Sequence, residues 1–272
     1  MSALIILVAA AFYIVSYFTY GKALERNVVK ADGATPTPAV RLRDNIDYIP
    51  ANKFVLFGHH FASIAGAGPI VGPAIAVVWG WLPSLLWVWF GNLFIGSIHD
   101  YLSLMASVRY DGKSIQYVSG KLMGESSKYI FEVYVYFAMI LVVAAFMGTF
   151  GALASKSAEI LTASTLFMVA AIIEGQLLYK TKLPFWLSSA IGVTLTILSI
   201  VVGFLWPFVN VPNIQTLYIL QFIYIILAAA LPVWWLLQPR DYLNSYILWG
   251  GVIIATIAAV FAFKGFDWPS FT

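Results

Sequence analysis

Two histidines and a serine, His59, His60 and Ser63, stand just before the densest group of helix breakers in this 272-residue chain: Gly66, Gly68, Pro69, Gly72 and Pro73. Pro69 and Pro73 lack the N–H that would bond the carbonyls of Ala65 and Pro69. The glycines ease unwinding. At membrane depth a freed carbonyl must face protein, water or a ligand. The half-helix expected to begin near Val71 would direct its amides and positive dipole at the gap, a setting suited to a carboxylate, while freed carbonyls would suit a cation. His59, Ser63 and Gly66 recur at i, i+4 and i+7 and so share a helix face, which His60 reaches through its i, i+3 relation to Ser63. The expected solute-binding set is therefore His59, His60, Ser63, Gly66, Gly68, Pro69 and Gly72. The competing reading is a proline kink whose glycines serve close helix packing.

A second polar group comprises Asn92, Gly96, His99 and Ser103 on one stripe, with Asp100 beside it. Ionisable side chains inside a span are costly and face a bundle interior or a watery cavity. His99 and Asp100 are thus candidates for coupling a cation, proton or sodium, or for orienting a solute-binding histidine. A structural clamp between helices is the equal alternative. Both histidine sites are expected in the inner half of the membrane, close enough to meet. Three histidines and an aspartate at this spacing match no metal-ligand motif, and without cysteine there is no thiolate chemistry. Gly66-Ala-Gly-Pro69 has neither the spacing nor the preceding strand of a nucleotide loop. No cofactor or metal is expected. Glu174 and Gln176, near the inner end of a span, read as structural.

These residues must be carried by a membrane-spanning framework. Hydrophobic residues make up 61% of the chain and charged ones 10%, too few charges to cover a water-facing surface. The expected fold is all-α and polytopic, a single transmembrane domain over 1–272. About eight helices fall near Ala3–Tyr20, Phe54–Trp79, Pro83–Val108, Tyr129–Leu153, Ile160–Tyr179, Pro184–Trp206, Asn213–Leu237 and Tyr246–Phe263, the second of them broken. The first span has its positive charge after it rather than before, unlike a cleaved signal. Counted over these spans, 13 of the 15 Lys and Arg, Arg240 among them, fall on one side and only Lys156 and Lys264 on the other. That asymmetry predicts a multi-pass protein of the cytoplasmic membrane with its N-terminus outside. Of the two longer inner loops, 25–52 is expected to be extended and 111–128 is compatible with a helix along the interface, with plain connectors the favoured reading for both. The bilayer is the one partner composition demands, and the net charge of +3 gives no ground for a nucleic-acid partner.

Phe57-Gly-His-His-Phe-Ala-Ser-Ile-Ala-Gly-Ala-Gly-Pro-Ile-Val-Gly-Pro73 resembles the signature of the CstA carbon starvation family. Trp81-Leu-Pro83, His99-Asp100, Arg109-Tyr-Asp-Gly-Lys-Ser114 and Gln238-Pro-Arg-Asp-Tyr-Leu-Asn244 follow in the family's order. The resemblance implies a secondary transporter, not an enzyme, for peptides or pyruvate. It also implies alternating access between inverted repeats, each with one broken helix. Family members continue into a second half with another broken segment. This chain has no counterpart, so it is expected to be the N-terminal portion of a longer or split transporter, with a second polypeptide as partner. A passive channel and a noncatalytic subunit of a membrane complex are the rival functions, an intramembrane enzyme a distant third.

Overall fold

The lengths of apolar sequence between prolines and glycines set the helices. A computed structural model describes residues 2–211, 213–262 and 269–271, and among these residues there is no strand. In chain order the principal helices are α1 (Ala3–Val29), α2 (Lys53–Ile64), α3 (Ala67–Ala76), α4 (Trp81–Arg109), α5 (Ile115–Met123), α6 (Glu125–Ala154), α7 (Ala158–Lys180), α8 (Phe185–Leu205), α9 (Ile214–Ala230) and α10 (Leu237–Ala262). Six of them, α1, α4, α6, α7, α8 and α10, are long and apolar enough to cross a membrane. The other two expected spans take different forms. One is the pair α2 and α3, of 12 and 10 residues, and the other is α9, of 17 residues.

Three expected boundaries are corrected. α1 runs on past Tyr20 to Val29 and stops where Lys30 turns left-handed at φ 50°. α9 ends at Ala230, well before Leu237. Leu231 is extended (φ −85°, ψ 147°) because it precedes Pro232, which disfavours the helical conformation there. α10 then starts at Leu237 rather than Tyr246 and draws Gln238–Asn244 into a helix. Pro239 is tolerated because it lies in the first turn, where a missing N–H breaks no helical bond. Arg240 thereby leaves the loop to which the charge count assigned it. The 111–128 connection holds the helix α5, closed by Gly124 at φ 96°. The 25–52 loop carries one helical turn, Pro38–Arg41.

The chain forms two units: Met1–Leu42, Gly66–Tyr134 and Gly250–Thr272 make the first, and Arg43–Ala65 with Val135–Trp249 the second. In the first, α1 packs on α4. The Tyr13 hydroxyl donates to the Val88 carbonyl at 2.8 Å, and Asn92 Nδ2 donates to the Tyr13 oxygen at 3.4 Å. Phe12 stacks on Trp89. Where α1 and α4 end, the Arg109 guanidinium donates to the Val29 carbonyl, a cation on the negative end of α1. Arg41 pairs with Asp111, joining the 25–52 and 111–128 connections.

In the second unit α7 and α8 pack closely along a stripe of small residues. Ser188, Gly192, Thr196, Ser199 and Gly203 recur every three or four positions on α8, and all are buried. A Cβ on Gly203 would lie 2.8 Å from the Ala163 backbone nitrogen. Small side chains let helix backbones approach where lipid offers no hydrophobic drive. α2 and α10 meet around Val55, Tyr242 and Leu243, with Phe167, Leu178, Phe185 and Val193 packed against them.

Candidate solute site

The helix break is narrower than the run of breakers suggests. α2 ends at Ile64, where the Ala65 N–H still bonds the Phe61 carbonyl at 2.9 Å. Ala65 (φ −79°, ψ 49°) and Gly66 (φ −76°, ψ −159°) then leave helical geometry. α3 resumes at Ala67, not near Val71. The reason lies in Pro69: placed in the first turn of α3, it loses no intrahelical bond, so the prolines follow the break and do not span it. The backbones of Gly68, Pro69 and Gly72 are helical, while the side chain of Pro69 lies outside the described residues. Among the described residues, leaving aside chain neighbours and the backbone of α3 itself, nothing lies within 4 Å of the place a Cβ would take on Gly68 or Gly72.

The last turn of α2 carries a polar cluster that the second unit holds together. His59 Nδ1 lies 2.9 Å from Asp241 Oδ2, a close polar contact that falls short of hydrogen-bond alignment. Ser63 donates to the His59 carbonyl at 2.8 Å, and its hydroxyl is 3.4 Å from the same Asp241 oxygen. The other oxygen of Asp241, Oδ1, accepts from Arg240 Nη2 at 2.9 Å and Nε at 3.2 Å. Arg240 Nη1 in turn donates to the Tyr224 hydroxyl at 3.1 Å. Gly58 makes this meeting possible: a Cβ there would fall 2.8 Å from Ser245 Oγ and 2.9 Å from the Tyr242 ring. α2 therefore approaches α10 one residue before His59. Asp241 also sits in the opening turns of α10, where the helix dipole favours a carboxylate.

The electrostatics follow from this inventory. Arg240 and Asp241 cancel, and an imidazole can take or give a proton in place, so the cluster is neutral or carries one positive charge. Asp241, at 12% side-chain exposure, is the least accessible member of the ion pairs, and His59 is 29% exposed. His60 is exposed and makes no polar contact among the described residues.

His99 and Asp100 belong to the first unit, on α4. Nδ1 of His99 is 3.3 Å from Asp100 Oδ1, and the imidazole is 76% exposed. Asn92, on the same stripe, is committed to Tyr13. Among the described residues no group of three or more His, Asp or Glu is placed to hold a metal ion. Sequence reasoning brought together His59 and Ser63 and missed their partners Asp241, Arg240 and Tyr224. The signal was present in Arg240-Asp241, two opposite charges followed by an apolar run, which fit a helix start as well as a loop.

A family model described as "Carbon starvation protein CstA" matches residues 1–272. The chain is 35% identical over 301 residues to the "Peptide transporter CstA" of Bacillus subtilis, covering 100% of this chain and 46% of that protein. It is 33% identical over 277 residues to the protein of the same name from Campylobacter jejuni, covering 99% and 39%. To the "Pyruvate/proton symporter BtsT" of Escherichia coli it is 32% identical over 281 residues, covering 100% and 39%. The chain thus spans less than half the length of these relatives. No solved structure matches it significantly. The chain belongs to the CstA carbon starvation family.

Proposed function

We propose that this chain takes part in secondary active transport of small organic nutrients, peptides or pyruvate-like carboxylates, across the cytoplasmic membrane by alternating access. The observation that carries the reading is the His59–Asp241–Arg240 cluster at the end of a broken helix. A buried ion pair is weak as a stabiliser, but with an imidazole added it forms a site of switchable charge. A carboxylate, whether of a keto acid or of a peptide terminus, would dock against His59 and Ser63, with Asp241 holding the imidazole in place. His60, Gly66, Gly68, Pro69 and Gly72 complete the proposed solute-binding set, with no side chain on the glycines to bar a solute from the backbone. His99 with Asp100 is the proposed coupling pair for a proton or sodium ion, its imidazole left uncovered by the rest of the described chain. The relatives named for peptide transport and for pyruvate/proton symport agree in substrate class. Those are transporter names, and we assign the chain no catalytic role.

The N-terminus is proposed to lie outside, since removing Arg240 from the inner tally leaves the charge asymmetry intact. The segments that the longer relatives add would come from a continuation of the chain or from a second polypeptide, and would supply the inverted repeat that alternating access requires. The site is tested by carbethoxylating the purified chain and mapping the modified histidines by mass spectrometry. Pyruvate or a dipeptide is expected to slow modification of His59 and to leave His99 unaffected. Equal rates at His59 with and without either solute would remove it from the site.

A further inference from the structure

Among the described residues Glu174 is the one carboxyl buried without a charged partner, and the cluster described above does not use it. It lies on α7 with 0% exposure, and no ion pair among the described residues includes it. Ser188 of α8 donates to Oε1 at 3.4 Å, a long bond, and Oε2 has no hydrogen-bond partner. Oε2 instead abuts Gly192: a Cβ there would fall 2.6 Å from that oxygen and 2.8 Å from Leu243 Cδ2. The small-residue stripe of α8 therefore has a second use. It makes room for a carboxyl between two helices that otherwise interlock through Gly, Ser and Thr.

An isolated carboxylate in such surroundings costs several kcal/mol, and the group avoids that cost by holding a proton. The neighbours supply no alternative. α8 presents Ser188, Ser189 and Gly192, none of which ionises. α10 presents Leu243 and the buried Tyr242, whose hydroxyl is 2.8 Å from Ser189 Oγ and 2.7 Å from the Tyr246 hydroxyl. The nearest charges on α10, Arg240 and Asp241, are committed to Tyr224 and to the cluster with His59. On α7 itself, Tyr179 donates to Gln238. A metal cation needs a shell of oxygens, whereas Oε2 faces a glycine and a leucine. A proton fits.

We propose that Glu174 is a proton-binding site, a neutral carboxylic acid in this conformation, and that it releases and regains its proton as α7, α8 and α10 shift during transport. The coupling half of this statement rests on the proposed function; the protonation half does not. Ser189, Tyr242 and Tyr246, on the two helices that border the carboxyl, form a chain of hydroxyls that ends at the exposed Tyr246, and a shift of α8 or α10 that brings Ser189 to Glu174 would give the proton a route outward. This site is additional to the exposed pair His99–Asp100 and differs from it in being shielded.

The test is infrared spectroscopy of the purified full chain at neutral pH, comparing the unmodified protein with Glu174→Gln. The protonated-carboxyl carbonyl band is expected in the former and lost in the latter. Gln has the shape of the neutral acid, so the variant is expected to fold with unchanged helicity. Should it misfold, Gly192→Ala serves instead, since its Cβ must displace the carboxyl and shift the band. Absence of the band from the unmodified protein, or its persistence in Glu174→Gln, overturns the proposal. In transport-competent vesicles, Glu174→Gln is expected to keep solute exchange and to lose proton-driven accumulation. Proton-driven accumulation that survives the substitution contradicts the coupling role. Failure of the unmodified chain to transport in the presence of the polypeptide that completes it contradicts the proposed function and leaves the infrared result to decide the proton site.

Discussion

His59–Asp241 and His99–Asp100 use the same two side-chain types and differ in how the chain brings them together. The second pair is adjacent on one helix, 3.3 Å apart, with an imidazole 76% exposed. The first joins α2 to α10, 2.9 Å apart, and its carboxylate is 12% exposed and doubly engaged by Arg240. Consecutive residues on a helix point about 100° apart, so adjacency in sequence gives a poor pair. Remote residues carried by two helices that interlock at Gly58 give a better one. An ion pair gains strength as water leaves it, so the pair between α2 and α10 is held more firmly than the pair on α4.

The contrast can be broken by removing one partner at a time. The largest effect is expected from Asp241→Ala. It leaves Arg240 without its counter-charge and frees His59, costing about 3 kcal/mol, the low end for a broken buried pair because Arg240 is one-third exposed. Thermal unfolding of the purified chain measures it, with Asp100→Ala as the control expected to show little change. Next is Gly68→Leu, expected to abolish solute uptake while leaving membrane insertion intact. The structure sharpens that expectation: among the described residues, leaving aside its chain neighbours and its own helix backbone, nothing lies within 4 Å of the place a Gly68 Cβ would take, so the new side chain is expected to obstruct solute and spare that packing. Uptake at the unmodified level would remove the glycine from the site.

Third, His59→Gln is expected to weaken solute affinity by about tenfold, the value of one charge-assisted hydrogen bond, and to change the pH profile of uptake. His99→Gln is expected to leave affinity intact and alter the pH profile alone. If both variants keep the original affinity and profile, neither histidine is functional. The smallest effect concerns the 25–52 loop. The Asp44 carboxylate accepts from the amides of Ile46, Asp47 and Tyr48 at 2.8–2.9 Å, and the Ile46 amide, foremost among these, holds its carboxyl below the ordinary range. Charge there favours the folded loop at all pH values above the ordinary carboxylate range, and the benefit fades only as pH falls through the lowered folded value. Limited proteolysis of the loop should therefore stay constant from neutral to mildly acidic pH and rise only in strong acid, a rise that Asp44→Ala shows at every pH.

Much of this was legible in the residues. Long apolar runs announced the helices, and the clustered glycines and prolines announced a break after Ser63. Its exact position was not legible, because Pro69 reads alike as a breaker inside a helix or as a good first-turn residue, and only the placement of Ala65 and Gly66 decides. The Arg240–Asp241 segment was assigned to a loop on charge, since nothing local says that its charges are cancelled by each other and by His59. Glu174 was read as structural near a membrane interface. The features that bury it, Ser188 and Gly192 at i+4 spacing on α8, carry meaning only when α8 is known to face α7.

The central claim is best tested by uptake of labelled pyruvate and of a labelled dipeptide into vesicles bearing this chain, together with whatever polypeptide completes it, under imposed proton and sodium gradients applied separately. The account predicts saturable uptake of at least one solute that accumulates only with a gradient and is lost in Gly68→Leu. Flux that rises linearly with concentration and ignores both gradients would mark a channel. A native complex that depends on the chain, with no flux attributable to it, would mark a structural subunit; either result contradicts the account.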